Sequence, residues 1–292
     1  MQRIVLSSSI AVLVLLFFGF SKFFATASIL FINTNSSLES ASKVDAFPSK
    51  EPKNSEKISI AFENHIKTMY QKLKLKKAEL EYVPFKTAYI GYLNLEAKGS
   101  LKKQILTILD FTKSSRFKRM WIIDMKNQKL VRRELVAHGK NSGHDMVTSF
   151  SNKLHSNQSS MGFYVTDAPY IGSNGISMLI NGMDKGYNDQ ARNRVVVMHG
   201  ADYVNPKTMN SNGRLGRSFG CPAVEREKAQ EIIDYVKNGS CLFIYFKDKS
   251  YLTSSKWLNL GNATTFFAEN IQQNVVNVPS TASVKTGKNT KG

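Results

Sequence analysis

The segment Arg194-Val-Val-Val-Met198-His199-Gly200 fixes the reading of this chain. Three consecutive valines and a methionine form a short apolar run, the pattern of a strand covered on both faces. The run delivers a histidine and a glycine at its end. Similar short runs lie on either side: Ile105–Leu109, Met120–Ile123, Leu130–Ala137, Gly162–Val165, Ile176–Ile180 and Cys241–Phe246. Asn127-Gln128 supplies a turn between the second and third of these, and Asn174-Gly175, Asn181-Gly182 and Asn212-Gly213 are further turn signals. One late helix is expected over Ala223–Lys237, with Val224, Ile232, Ile233 and Val236 on its apolar face and Gly239 as its stop. Seven short strands and one helix predict a mainly β domain, a sandwich or a partly closed barrel.

The flanks are different. Residues 1–27 have a basic start, an apolar stretch from Ile4 to Phe20 and a small-residue Ala25-Thr26-Ala27 site, the pattern of a secretory signal peptide or, uncleaved, of a membrane anchor. Residues 28–57 have a linker composition. Residues 58–100 show apolar positions at helical spacing (Phe62, Ile66, Met69, Leu73) with lysines between them, then a second helical stretch from Phe85 to Ala97 that Gly99 ends. The catalytic-type domain is expected over 101–249, a C-terminal extension over 250–278 around Trp257 and Phe266-Phe267, and a polar tail over 279–292.

The chain has 292 residues, 42% hydrophobic, with 40 Lys+Arg against 22 Asp+Glu and a net charge of +18. There is enough apolar material for a core, so a disordered chain is excluded. Two cysteines exclude a disulfide scaffold and a four-cysteine metal knuckle. The positive charge would suit nucleic acid in the cytosol, but no nucleic-acid motif is present and the expected export route argues for an anionic envelope partner. We therefore expect no nucleic-acid partner, with membrane attachment if the N-terminal segment stays uncleaved.

Beginning seventeen residues after His199 is Gly216-Arg217-Ser218-Phe219-Gly220-Cys221-Pro222, which places Cys221 twenty-two residues after the histidine. Pro is favoured at the first helical position, which puts Cys221 near the N-cap of the expected helix. A helix N-terminus lowers a thiol pKa below about 8.5, and a nearby imidazole can take the thiol proton. Gly220 permits close approach of a carbonyl, and backbone N–H groups there can hold an oxyanion. Cys241 lies within an apolar strand run and is assigned to the core.

The run His199-Gly200 … Ser218-Phe219-Gly220-Cys221 resembles the signature of the L,D-transpeptidase catalytic domain family, which crosslinks peptidoglycan. Ala137-His-Gly-Lys-Asn-Ser-Gly143 and Gly216-Arg-Ser-Phe-Gly-Cys-Pro-Ala223 are similar to one subgroup, and Ser159–Val165 resembles another family segment. The resemblance implies Cys221 as nucleophile, His199 as general base and Ser218 as a group fixing imidazole or substrate. It implies an oxyanion hole from the Gly220 and Cys221 N–H groups, and Arg217 as a site for a stem-peptide carboxylate. His138, Gly200, Tyr203 and Gly162 are further substrate-side candidates. The implied reaction is transfer of a tetrapeptide stem through a thioester, releasing terminal D-alanine, to an amine acceptor, without a cofactor. Phe219, where many members have His, and Pro222-Ala223, where many have Arg or Asn shortly after the cysteine, leave transfer against hydrolysis open. Two other classes also remain: a zinc peptidase using His138, His144, His199 and Asp202, and a non-catalytic basic wall-binding protein.

Overall fold

The computed structural model describes residues 54–276, with side chains through residue 270. The expected signal segment, most of the 28–57 linker and the 279–292 tail lie outside the described residues. Residues 54–57, expected to be linker, form the first turn of helix α1 (Asn54–Lys72). Among the described residues no helix is long and apolar enough to cross a membrane.

Eight strands form one mixed sheet: β1 (Ile105–Asp110), β2 (Met120–Asp124), β3 (Lys129–Glu134), β4 (Gly162–Gly172), β5 (Gly175–Gly182), β6 (Val197–Ala201), β7 (Ala223–Glu225) and β8 (Cys241–Tyr245). Their spatial order is β3-β2-β1-β8-β4-β5-β6-β7. The two outer strands approach each other. Just past β3, Ala137 bridges Ala223 of β7, and Gly139 bridges Ser218. The sheet therefore curls toward closure, in agreement with the expectation of a partly closed barrel.

Both faces are covered, which is why its strands are near-continuous apolar runs. In β1 and β8, Leu106, Ile108, Cys241 and Phe243 face one buried cluster, whereas Ile105, Leu109, Leu242 and Ile244 face the other. The first cluster is covered by α1, by α2 (Tyr82–Ala97), by Tyr251 of α5 (Lys249–Ser254) and by α6 (Leu260–Val276). Phe62 of α1 meets Phe267 of α6 at 5.0 Å between ring centroids, so the N- and C-terminal helices pack on one surface. The second cluster is filled by Ile232, Ile233 and Val236 of α4 (Arg226–Val236). Cys241 is fully buried, as expected of a core cysteine.

Three expectations are corrected. The second helix, expected from Phe85, already begins at Tyr82, with Pro84 in its first turn, where a missing N–H costs nothing. Asn181-Gly182 sits inside the end of β5, and Gly213, at φ +66°, caps the C-terminus of α3 (Pro206–Asn212) instead of turning a hairpin. The helix expected from Ala223 starts only at Arg226, because Ala223-Val-Glu225 forms β7, a three-residue strand parallel to β6. Pairing with β6 and the bridge to Ala137 outweigh the local helix signal.

Gly91 shows how tightly the helices dock on the sheet. A Cβ there would lie 1.9–2.5 Å from three atoms of the Phe163 ring. That ring is fully buried and stacked on Phe243 at 4.1 Å, so it cannot yield cheaply. Gly91→Ala improves helix propensity by up to about 1 kcal/mol, while overpacking typically costs about 1–3 kcal/mol. We expect a net loss of about 1–2 kcal/mol, seen as a thermal midpoint lower by several degrees. An unchanged or higher midpoint would show that α2 is free to shift.

Candidate active site

The two segments singled out in the sequence meet at the β6–β7 edge. His199, in the middle of β6, pairs with Ala223, two residues past Cys221. The Val197 N–H donates to Cys221 Sγ at 3.4 Å. The thiol in turn faces the Val195 carbonyl at 3.8 Å. One stretch of backbone therefore brackets the sulfur and then presents the imidazole. Val195 has φ +53°, an unfavourable conformation for a β-branched residue, so the turn feeding β6 carries backbone strain.

Because β7 intervenes, Cys221 is not at a helix N-terminus, and the expected helix-dipole activation of its thiol is absent. Burial pushes the Cys221 thiol upward, while the Val197 N–H and the Arg194 guanidinium pull it back; the net direction is up. His199 is buried, and burial lowers its pKa; the Gly200 carbonyl opposes this and Arg226 adds to it. At rest the thiol and the imidazole are accordingly both neutral. His199 Nδ1 lies 3.0 Å from the Gly200 carbonyl oxygen, which can only accept, so Nδ1 carries the proton and Nε2 keeps its lone pair. Nε2 has no hydrogen-bond partner among the described residues.

Ser218 shapes the turn that carries Cys221. Its hydroxyl donates to the Cys221 carbonyl at 2.6 Å and accepts the Gly220 N–H at 3.0 Å. Its one proton goes to the Cys221 carbonyl, so Ser218 holds the cysteine turn, and it makes no hydrogen bond to His199. The bond it accepts removes the Gly220 N–H from an oxyanion hole. The Cys221 N–H has no partner among the described residues. Gly220 sits at φ +128°, and a Cβ there would lie 2.8 Å from the Gln158 carbonyl oxygen, so only glycine suits this close approach.

The remaining candidates divide. Tyr203 is half-buried near the cysteine; burial and the charge of Cys221 raise its phenol to about 12. Its ring covers Gly216. Arg217 donates Nη1 to the carbonyls of Lys140 and Gly143 at 2.9 and 2.8 Å, closing the 137–143 loop. Gly200 packs against α4, where an added Cβ would meet Ala229 at 2.9 Å. Gly162, at φ +109°, packs on Asp184 and Asn188, and the site does not include it. His138 is fully buried and so cannot line a cleft. Its Nδ1 accepts from Arg119 Nη2 at 2.8 Å, and its Nε2 is buried without a partner. Arg119 is itself fully buried and also donates to the Val136 and Lys113 carbonyls.

The groups considered for zinc are dispersed in their bonding: His138 to Arg119, His144 to Arg214, His199 to Gly200 and Asp202 to Arg226. Among the described residues no cluster of three or more metal-ligating side chains forms.

Sequence reasoning missed Arg194. Its Nη1 donates to the Ser151 carbonyl at 2.6 Å, and its Nη2 donates to the Gln158 carbonyl at 2.5 Å and to Ser156 Oγ at 3.2 Å. The one available signal was a charged residue opening an apolar run. Phe219 was likewise undervalued: it is 72% exposed beside Cys221, with Lys140 Nζ 4.4 Å from its ring centroid.

A cysteine turn hydrogen-bonded to the strand that carries a histidine of defined tautomer suits a nucleophilic acyl-transfer site. The L,D-transpeptidase catalytic domain model matches residues 76–245, and the chain belongs to that family. Among solved structures, an L,D-transpeptidase from Mycobacterium smegmatis is similar at 13% identity and a TM-score of 0.31, over 49% of this chain and 59% of that one. L,D-transpeptidase 3 from Mycobacterium tuberculosis is similar at 14% identity and a TM-score of 0.28, over 49% of this chain and 61% of that one. The chain thus spans about three fifths of the length of these relatives. No curated protein sequence matches it significantly.

The buried histidine makes acid stability a test of the site's frame. Burial, with Arg119 close by, pulls His138 down to about 3. Its unfolded value is about 6.5, so below that pH the unfolded chain binds a proton that the fold refuses. The contribution is complete above pH 6.5 and drains away as pH falls toward 3. Between pH 7.5 and 5 it amounts to about 2 kcal/mol. The thermal midpoint should fall over that range, and His138→Gln should flatten the slope. An unaltered slope in the variant would show that His138 takes up its proton in the folded state.

Proposed function

We propose that this protein is a cysteine acyltransferase of the bacterial envelope that acts on peptidoglycan stem peptides. The observation that carries the proposal is the bracketing of Cys221 Sγ by the Val195–Val197 backbone, which leads directly into His199. Attack on the stem carbonyl forms an S–C bond while the thiol proton passes to His199 Nε2. The Cys221 N–H is the available backbone donor for the developing oxyanion. The imidazolium then returns its proton to the departing amine of D-alanine, leaving a thioester on Cys221. An amine of a second stem attacks that thioester and regenerates the thiol, giving a crosslink; water in the same position gives hydrolysis.

A neutral resting pair suits this sequence, because charge develops only when the carbonyl arrives. Exposed Phe219 with Lys140 gives the rim an apolar plate and a cation, suited to a peptide bearing carboxylates. The net charge of +18 fits an anionic wall polymer, and the N-terminal segment would direct the chain to it.

Intact-mass measurement after mixing with tetrapeptide muropeptides, and separately with a carbapenem, tests the proposal. The wild type should gain one acyl mass on the peptide containing Cys221 and release D-alanine. Cys221→Ala should abolish both, and His199→Gln should slow D-alanine release by about 10²–10⁴-fold, the usual worth of a general base. D-Alanine release undiminished in Cys221→Ala would refute the cysteine mechanism. Dimeric muropeptides among the products would assign transfer, and tripeptides alone would assign hydrolysis.

A further inference from the structure

The loss of the helix N-terminus leaves the question of what stabilises sulfur as it becomes anionic. The groups around Cys221 answer it. From β6 comes His199, neutral and buried; from the residues after β6 comes Tyr203, whose phenol stays protonated. At the start of α4, Arg226 is committed to Asp202, which neutralises it. From β4, Tyr164 is buried and bonded to Ser160. The turn before β6 contributes Arg194, and this residue differs from the rest.

Arg194 is only partly exposed, and all three of its hydrogen bonds go to uncharged acceptors: the Ser151 and Gln158 carbonyls and the Ser156 hydroxyl. It forms no ion pair with a carboxylate among the described residues. Its charge is therefore fixed in place and uncompensated. The placement is set from two sides. Its chain neighbour Val195 faces Cys221 Sγ through its carbonyl, and its Nη2 lies 3.3 Å from where a Cβ on Gly220 would stand. Gly220 is the residue before the nucleophile.

We propose that Arg194 is the positioning residue of the nucleophile: anchored by the 151–158 loop, its guanidinium holds an unpaired positive charge against the Cys221 turn and stabilises the sulfur as it loses its proton. The inference rests on the cysteine reading above. It assigns to one side chain the role that the sequence assigned to a helix dipole. The same three hydrogen bonds hold the loop against the site, so charge and loop order must be separated in the test.

Cys221 alkylation, read by mass on its own peptide, separates them as a function of pH. The fully buried Cys241 serves as an internal control. An opposite charge nearby moves a pKa by about 1–3 units. Arg194→Gln should therefore raise the alkylation midpoint by about one unit and slow the reaction at pH 8 about tenfold. Arg194→Lys keeps the charge and should stay within about threefold of wild type. Ser156→Ala loosens the loop but leaves the charge, and should leave the midpoint in place. A midpoint unmoved in Arg194→Gln, or moved equally by Ser156→Ala, overturns the proposal.

Should Arg194→Gln fail to fold, the wild type still decides. An uncompensated cation makes Cys221 react faster with iodoacetate, relative to iodoacetamide, than free cysteine does. A ratio at or below that of free cysteine overturns the proposal. Failure of the cysteine reading itself would appear separately, as D-alanine release that survives Cys221→Ala.

Discussion

The hydrogen bond from the Val197 N–H to Cys221 Sγ ties the cysteine turn to the strand that carries His199. Remove that tie and the cysteine turn and the histidine strand are independent pieces of chain. With it, Cys221 and His199 are referred to one backbone, and their separation is set by the β6–β7 pairing of His199 with Ala223. The rest of the site supports the tie. Ser218 keeps the cysteine turn tight, and the bridges at Ala137 and Gly139 press the loop after β3 against it. Ser159 closes the far side, accepting the Gly139 N–H and donating to the Gly220 carbonyl. Such a site loses little side-chain entropy on reaching its reactive geometry, since most of its parts are backbone.

Burial sets the protonation of that pair. Both Cys221 and His199 are pushed toward their neutral forms, the thiol up and the imidazole down. A preformed thiolate–imidazolium pair would face the same desolvation with only the Val197 N–H and Arg194 to offset it. The neutral pair is a less reactive resting state, and it spares the sulfur from oxidation, which requires thiolate character and exposure. On the proposed cysteine mechanism, reactivity then depends on the substrate carbonyl drawing the proton across.

Much of this was legible in the sequence, and the residues show why. Runs such as Met120–Ile123 and Cys241–Tyr245 are apolar at every position because helices cover both faces of the sheet, so their strand character needed no periodicity to be seen. Cys221 stood out because its neighbours are Ser, Gly, Pro and Arg instead of core residues, and His199 because it ends an apolar strand run. The errors have a common source. β7 has three residues and no propensity of its own; it exists because β6 and Ala137 offer it partners, and no local pattern announces that. That short strand moved the helix start, and with it the electrostatics assigned to the thiol. His138 looked like a loop histidine, and its full burial follows from Arg119, nineteen residues away in sequence.

The arginines around the site share a further logic. Arg119, Arg194 and Arg217 each donate to backbone carbonyls of irregular loops: Lys113 and Val136, Ser151 and Gln158, Lys140 and Gly143. None of the three forms an ion pair with a carboxylate among the described residues. Loop carbonyls without a strand partner must be satisfied, and a guanidinium can satisfy two at once. An asparagine or glutamine could also donate to a carbonyl, but would bring no charge. A carboxylate partner would stabilise the guanidinium and cancel its field. Arg119 has the Asp110 and Asp145 carboxylates nearby, but leaving Arg194 unpaired satisfies its loop and keeps the potential positive where the acyl-transfer reading requires a negative charge to appear, first on sulfur and then on oxygen. The cost of partial burial falls on the arginines, where it shows as depressed affinity for their protons. On this view the irregular loops and the electrostatics of the site are one construction, and the uncompensated charge is what the loops obtain in place of regular pairing.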